Sequence, residues 1–150
     1  MTFRIVVDTR EKEAFSFSCP VLPCKLEAGD YSVEGFESRL AVERKSLIDF
    51  SHTVIHDFTR FAAELKKLSG MEAACIVVEA DLDAVLRGRH VETLRGVDPQ
   101  SLLGATVHIG MQYGVPVHWC GSRQAARAFT EAFLRGFVRH IAQRGGVAHV

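Results

Sequence analysis

The residues whose types best suit chemistry lie where an apolar run meets three consecutive charges, in the segment LAVERKSLIDF at residues 40–50. The charges are Glu43, Arg44 and Lys45. Because side chains alternate between the two faces of a β-strand, Glu43 and Lys45 point to one face and Arg44 to the other. An acid and an ammonium group on one face can hold a cation and position a water or a phosphate oxygen. Surface ion pairing at a strand end is the alternative interpretation, since acid-x-lysine patterns are common.

A second carboxylate, that of Asp30, joins this face if the preceding segment forms a hairpin. Two strand patterns flank Gly35, and a turn centred on residues 36–37 places Asp30 opposite Glu43. Residues directly opposite each other have Cβ atoms roughly 4.5–5.5 Å apart. Two carboxylates that close repel unless a proton or a cation lies between them. Asp8, at the end of the predicted first strand, can close the site from a neighbouring strand.

The spacing D-x12-E-x-K, formed by Asp30, Glu43 and Lys45, predicts a metal-dependent phosphodiesterase site. Oxygen-only ligands suit Mg²⁺ or Mn²⁺ rather than zinc. Such a metal lowers the pKa of a bound water and neutralises charge on the phosphate, while Lys45 helps to position the attacking water.

The elements that must hold these residues alternate between strands and helices along the chain. Apolar residues recur at threes and fours after Ser46, which predicts an amphipathic helix, and Asp98-Pro99 is typical of a helix start. In order, the sequence predicts a strand at 3–8, the hairpin, a helix at 46–68 broken near His56-Asp57, a strand at 74–79, a helical turn and basic loop at 81–90, a helix at 98–113, a strand at 115–119 and a last helix capped by Ser122. This alternation predicts an α/β sandwich with a central, partly parallel sheet.

Length, composition and charge define the class of protein. A chain of 150 residues, 47% hydrophobic and 24% charged, is expected to form one globular domain over residues 1–150. The sequence contains neither a membrane-length apolar stretch nor a signal-peptide pattern, so we expect a cytoplasmic protein, nucleoid-associated if bacterial. Eighteen basic and eighteen acidic residues cancel, and any nucleic-acid binding therefore requires a local basic patch.

Other candidate sites are weaker. His52 and His56 have the i, i+4 spacing that can bind zinc on a helix, but Thr53 stands where a metalloprotease has glutamate, and no third ligand is evident. The four cysteines form no C-x-x-C pair, so a structural zinc site is not supported. The basic loop at 87–90 either contacts DNA phosphates or is solvated, and the arginines of the last helix are typical of a solvated surface.

Five segments follow one another in an informative order. VVDTRE at residues 6–11 is followed by GDY at 29–31, ERKSLID at 43–49, TRFAAEL at 59–65 and IVVEAD at 76–81. These segments resemble the motifs of the XPF-type structure-specific endonucleases, which belong to the PD-(D/E)XK restriction-nuclease-like superfamily. The GD…ERKxxxD signature is the most specific of them, and the resemblance spans nearly the whole chain.

The resemblance implies a restriction-endonuclease-like three-layer sandwich, in which helices flank a central mixed sheet. The site residues that follow from it are Asp8, Asp30 and Glu43 as metal ligands, Lys45 as the catalytic lysine, and Arg10, Glu11, Arg44 and Asp49 as supporting residues. Arg44 faces away from Lys45 and is expected to brace Asp49 or another carboxylate. The expected DNA contacts are Tyr31, Arg60, Arg87 and Arg89.

The expected function is that of a Mg²⁺- or Mn²⁺-dependent endonuclease that cuts branched, flap or fork DNA in repair or recombination. A non-catalytic DNA-binding or scaffold domain of a repair complex is the alternative. Relatives usually add a tandem helix-hairpin-helix domain, which this sequence does not contain.

We therefore expect a homodimer, or a complex with a partner that carries a DNA-binding module. The segments at 100–113 and 128–141 are rich in large apolar residues, and we expect them to form the association surface. A monomer in which the last helix completes the core is the alternative.

Overall fold

The computed structural model describes the backbone of residues 3–148 and the side chains of residues 3–145. Six strands lie in this range: β1 (Ile5–Val7), β2 (Val21–Pro23), β3 (Tyr31–Val33), β4 (Leu40–Lys45), β5 (Ala73–Val78) and β6 (Val117–Trp119). The helices are α1 (Leu47–His56), α2 (Phe58–Ser69), α3 (Leu82–Leu86), α4 (Val91–Leu94), α5 (Pro99–Tyr113) and α6 (Arg123–Ala148).

The strands form one mixed sheet in the order β2-β1-β3-β4-β5-β6. β3 is antiparallel to both of its neighbours, whereas β1 and β2 are parallel, as are β4, β5 and β6. The prediction of a central, partly parallel sheet is confirmed. The sequence pattern does not predict β2, because Pro20 and Pro23 argue against a strand in a sheet interior. β2 forms at the edge of the sheet, where proline is tolerated.

The sheet separates two apolar cores, which makes the three-layer sandwich that was expected. Along β4, Ala41 enters the core formed with α1, α2 and α5, whereas Leu40 and Val42 enter the core beneath α6. The alternation that assigns these residues to opposite faces continues into the charged end of the strand. Glu43 and Lys45 therefore lie on the α1–α2 side and Arg44 on the α6 side.

The helix boundaries follow local signals. Ser46 caps α1 by accepting a hydrogen bond from the backbone N–H of Asp49 at 3.1 Å. The predicted break near His56-Asp57 is confirmed, because Asp57 has φ −136° and separates α1 from α2. Asp98 and Ser122 cap α5 and α6 in the same way as Ser46. Within residues 3–148, no helix combines the length and apolarity needed to cross a membrane.

Of the two segments expected to form an association surface, only α5 carries large apolar residues that are exposed. Phe129, Phe133 and Phe137 of α6 are partly buried against the core beneath that helix, so the predicted surplus on α6 is largely covered by the chain itself. On α5, in contrast, Val107 is 51% exposed and Met111 is 84% exposed. The association surface expected from the two segments stays a prediction, and the exposed apolar residues that could form it lie on α5.

Candidate active site

The hairpin places Asp30 and Glu43 in one row across the sheet. Tyr31 pairs with Val42, so the next pair toward the end of the strands joins Asp30 and Glu43, as the sequence predicts. The Asp30 N–H donates to the Val42 carbonyl at 2.8 Å. Asp8 extends the row on β1's side, because its N–H donates to the Asp30 carbonyl at 2.9 Å. Residues of one row point to the same face of a sheet, here the α1–α2 side.

The carboxyl groups of Asp30 and Glu43 interact with each other and have little contact with solvent. Burial, and then the charge of Glu43, raises the pKa of Asp30 to about 8. Burial also raises the pKa of Glu43, although Lys45 opposes it with its Nζ 3.0 Å from Glu43 Oε2. The Arg44 backbone N–H donates to Asp30 Oδ2 at 2.8 Å. Such a pair of buried oxygen donors fits a hard divalent cation, which would permit both groups to be charged.

Asp8 occupies the row, but its carboxylate is already bonded. Oδ1 accepts from the Leu26 backbone N–H at 2.8 Å, and Oδ2 accepts from Arg10 Nε at 2.9 Å. Burial alone raises the pKa of Asp8, but the hydrogen bonds from Arg10 and Leu26 outweigh it and leave the pKa below its usual range. Among the residues described, no three His, Cys, Asp or Glu side chains are arranged to hold a metal. The role of Asp8 as a third ligand stays a prediction.

Glu64 is an acidic residue of the site that the sequence analysis missed. Its Oε1 accepts from the Gly29 N–H at 3.0 Å. Gly29 has φ +77°, and a Cβ there would lie 3.0 Å from the Ala41 Cβ, so only glycine brings its N–H to this position. Burial is the main reason that the pKa of Glu43 is raised, and the charge of Glu64 adds to it.

A helical signal could have identified Glu64. It lies three residues after Phe61, a buried residue of α2 whose ring is 5.1 Å from Lys45 Nζ. Residues three apart share a helix face, so Phe61 and Glu64 both face β4.

Arg44 braces two carboxylates on the opposite face of the sheet. Its Nε lies 2.9 Å from Glu11 Oε2, and its Nη1 lies 3.2 Å from Glu79 Oε1. The three side chains are 6–9% exposed. Burial raises the pKa of Glu11, but the hydrogen bond and charge of Arg44 outweigh it and hold the pKa below its usual range. The sequence expectation that Arg44 braces a carboxylate holds for Glu11 and Glu79 and not for Asp49, which is exposed in the first turn of α1.

Arg123, at the start of α6, extends this network to the loop that follows β1. Its Nη1 lies 2.9 Å from Glu79 Oε2, and its Nη2 donates to the carbonyls of Glu13 and Ala14 at 2.6 and 3.2 Å. Its guanidinium also lies 4.9 Å from the Phe15 ring centroid. Neither Glu79 nor Arg123 could be assigned a role from the sequence, because nothing in their local patterns indicates that residues 44 apart meet.

The expectation that Tyr31 contacts DNA is wrong. Tyr31 is fully buried, and its ring stacks on Phe15 with centroids 5.2 Å apart. Its hydroxyl donates to Glu11 Oε2 at 3.2 Å and accepts from the Phe15 N–H at 3.0 Å. Burial raises the pKa of this hydroxyl, so Tyr31 acts here as a neutral support for Glu11.

The other expected DNA contacts lie on the surface. The Arg60 side chain is 85% exposed, with its Nε 3.7 Å from Asp57 Oδ2. Arg87 is exposed and bonded to Asp83, one turn earlier, and Arg89 is exposed in the following loop. Contact of Arg60, Arg87 and Arg89 with DNA stays a prediction.

A hollow of about 410 Å³, which we name the active-site cleft, opens at the end of β4, on the side of Glu11 and Arg44. It is lined by residues 10–13, Arg44, Ser46, Ile48 and Asp49. Neither Asp30 nor Glu43 lines this cleft. Two of its lining residues contact the carboxylate row: Arg10 is bonded to Asp8, and the Arg44 N–H binds Asp30.

The fold is that of a known class of α/β domain. XPF from Aeropyrum pernix is similar with a TM-score of 0.66 and 24% identity, over 88% of this chain and 60% of that chain. XPF from Aeropyrum pernix in complex with DNA gives a TM-score of 0.67 and 24% identity, over 91% of this chain and 65% of that chain. This chain thus spans 60–65% of the length of these solved chains, and it has the XPF fold.

The sequence gives the family. The profile of the ERCC4 domain matches residues 7–133, and the chain belongs to the ERCC4 domain family. The match includes the carboxylates of the row and Lys45. The resemblance drawn from the sequence motifs is therefore confirmed. Comparison with curated proteins gives no significant match.

Proposed function

We propose that this domain is a Mg²⁺- or Mn²⁺-dependent endonuclease that hydrolyses phosphodiester bonds of branched or flap DNA in repair or recombination. Membership of the ERCC4 domain family supports a DNA repair nuclease, and one of the similar solved structures is a complex with DNA. The observation that carries the proposal is the opposition of Asp30 and Glu43 across the hairpin, with Lys45 bonded to Glu43 on the same face.

Asp30 and Glu43 would hold the metal, with Asp8 as the further ligand that the resemblance implies. When bound, the metal supplies a water of lowered pKa and neutralises charge on the phosphate. The Arg44 N–H orients Asp30 through Oδ2, and Arg10 with the Leu26 N–H orients Asp8.

Lys45 supplies an ammonium group to the carboxylate pair. Its Nζ donates to Glu43 Oε2 and carries further N–H groups, which can hold a phosphate oxygen or the attacking water. The Phe61 ring lies against the ammonium group and restricts where it can point. Arg10 is 63% exposed and lines the active-site cleft, where its guanidinium can bind a phosphate of the DNA backbone.

The alternative is a non-catalytic DNA-binding or scaffold domain. One observation favours it: the Asp8 carboxylate is bonded to Arg10 and Leu26, so the three expected ligands do not form a preassembled group. Binding of branched DNA without metal-dependent cutting would support this alternative.

The test is to incubate flap, fork and linear DNA with the domain in Mn²⁺, Mg²⁺ or EDTA. We expect metal-dependent cutting of the branched substrates, and a loss of at least about 100-fold in rate for Asp30→Asn and for Lys45→Ala, because each removes a group that stabilises charge in the transition state. Glu72→Gln, which removes an exposed carboxylate far from the row, is the matched control and should cut like the wild type. Absence of cutting on every substrate and metal would refute the nuclease proposal.

We also propose that the domain associates, either with a second copy of itself or with a partner that carries a DNA-binding module. The exposed Val107 and Met111 of α5 support this proposal, since monomeric surfaces seldom expose clustered large apolar side chains.

A further inference from the structure

A second hollow adjoins the active-site cleft along the outer side of α1. It has a volume of about 510 Å³ and lies between α1 and residues 92–97, and we name it the α1 groove. Ile48 lines both the groove and the cleft, so the two hollows meet at this side chain. A chain that occupied both hollows would have to pass over Ile48.

The lining of the groove combines apolar and heteroaromatic surface. Ile48 is 61% exposed, and Leu94 and Val97 contribute further apolar atoms. His52 and His56 lie one turn apart on α1, with ring centroids 5.5 Å apart. Flat rings beside apolar side chains are the surface on which unpaired nucleobases stack, and this stacking does not depend on base identity.

The positive charge of the groove comes from Arg95. A carboxylate, Glu92, also lines the groove, so the lining carries one formal charge of each sign. Arg95 has φ 49° and ψ 54°, and among the residues described it is the only non-glycine residue with a positive φ. Glycine adopts this conformation without strain, whereas a side chain makes it unfavourable. Arg95 ends α4, where a left-handed conformation is common and glycine is the usual residue, so the backbone explains the conformation but not the choice of arginine.

We propose that the α1 groove binds an unpaired segment of the DNA substrate, with bases against His52, His56 and Ile48 and a backbone phosphate on Arg95. The identity of the polymer rests on the proposed nuclease function. The volume is that of a site for one small molecule and suits one or two nucleotides, whereas a duplex is too wide to enter. Paired bases are also stacked on one another, so only a single strand can offer its bases to this surface.

The experiment measures binding without catalysis. Fluorescence polarisation in EDTA compares a labelled oligothymidine of about twelve nucleotides with a blunt duplex of the same length. We expect His52→Ala/His56→Ala and Arg95→Gly each to weaken single-strand binding by roughly 5- to 20-fold, with duplex binding unchanged, because stacking and one phosphate contact are lost. His140→Ala, an exposed histidine on α6, is the matched control and should bind like the wild type.

Arg95→Gly separates binding from folding. Glycine relieves the strained backbone, so this variant is expected to melt no lower than the wild type, and weaker binding by it cannot come from unfolding. Unchanged single-strand affinity in Arg95→Gly, equal losses for single strand and duplex, or no single-strand binding by the wild type would each overturn the proposal. Because EDTA removes the metal, single-strand binding can be observed even if the domain does not cut DNA. If the wild type cuts DNA but the groove variants bind single strands as the wild type does, the groove proposal is wrong and the nuclease proposal stands.

Discussion

At the level of single residues, the carboxyl pair of Asp30 and Glu43 makes the metal-free domain sensitive to pH. The pKa of Asp30 is raised from 3.8 to about 8, so the folded state keeps a proton that the unfolded chain releases. The stability that this proton contributes is fully present below about pH 4 and is lost as the pH rises through about 8.

We therefore expect the free energy of unfolding in EDTA to fall between about pH 5 and pH 8, with the Asp30 proton contributing at most roughly 1.4 kcal/mol per pH unit. Asp30→Asn keeps an oxygen for the Arg44 N–H but carries no charge, so its stability should vary much less over this interval. Urea unfolding at several pH values measures both proteins. A wild-type profile as flat as that of Asp30→Asn would contradict the buried carboxyl pair.

At the level of elements, the network of Arg44, Glu11, Glu79 and Arg123 joins the end of β4 to the loop after β1, the end of β5 and the start of α6. The two arginines differ in burial, and the loss of stability on replacing each one should follow that difference. Arg44 is 8% exposed and serves two buried carboxylates, whereas Arg123 is 44% exposed.

Arg44→Gln should lower the free energy of unfolding by roughly 3–5 kcal/mol, because it leaves Glu11 buried without a cation. Arg123→Gln should cost about 1 kcal/mol, because water replaces part of what it loses. Arg39→Gln breaks the exposed pair with Glu72 and is the control with little expected effect. Urea denaturation gives the three values, and an Arg44→Gln loss no larger than that of Arg39→Gln would disprove the network's structural role.

At the level of the whole molecule, the exposed face of α5 is the proposed association surface. Met111→Glu places a charge at a residue that is 84% exposed, so it should leave the monomer's stability unchanged while preventing burial of this face against another copy. Light scattering at micromolar concentration should give a dimer for the wild type and a monomer for Met111→Glu. A wild-type species of 16.6 kDa at every concentration would exclude the homodimer.

The secondary structure and the facing of the strands could be predicted because they depend on contacts between near neighbours in the chain. Helix caps at Ser46, Asp98 and Ser122 act within three residues. The hairpin turn sets the register that opposes Asp30 to Glu43, and strand alternation assigns each side chain to a face. These local rules determined the carboxylate row and the motifs that indicate the family.

Only the tertiary structure decided which residues each side chain contacts on its face of the sheet. Alternation places Arg44 on the opposite face from Lys45. The pairing of β4 with β5 then brings Glu79 to Arg44, and the packing of α6 brings Arg123 to Glu79. Tyr31 follows Asp30 directly in the sequence, yet the loop after β1 folds over the Tyr31 side chain and buries it. The Leu26 N–H binds Asp8 across 18 residues of sequence, and Glu64 accepts from the Gly29 N–H across 35. Such contacts depend on how elements pack, and sequence spacing does not encode which element covers a given face.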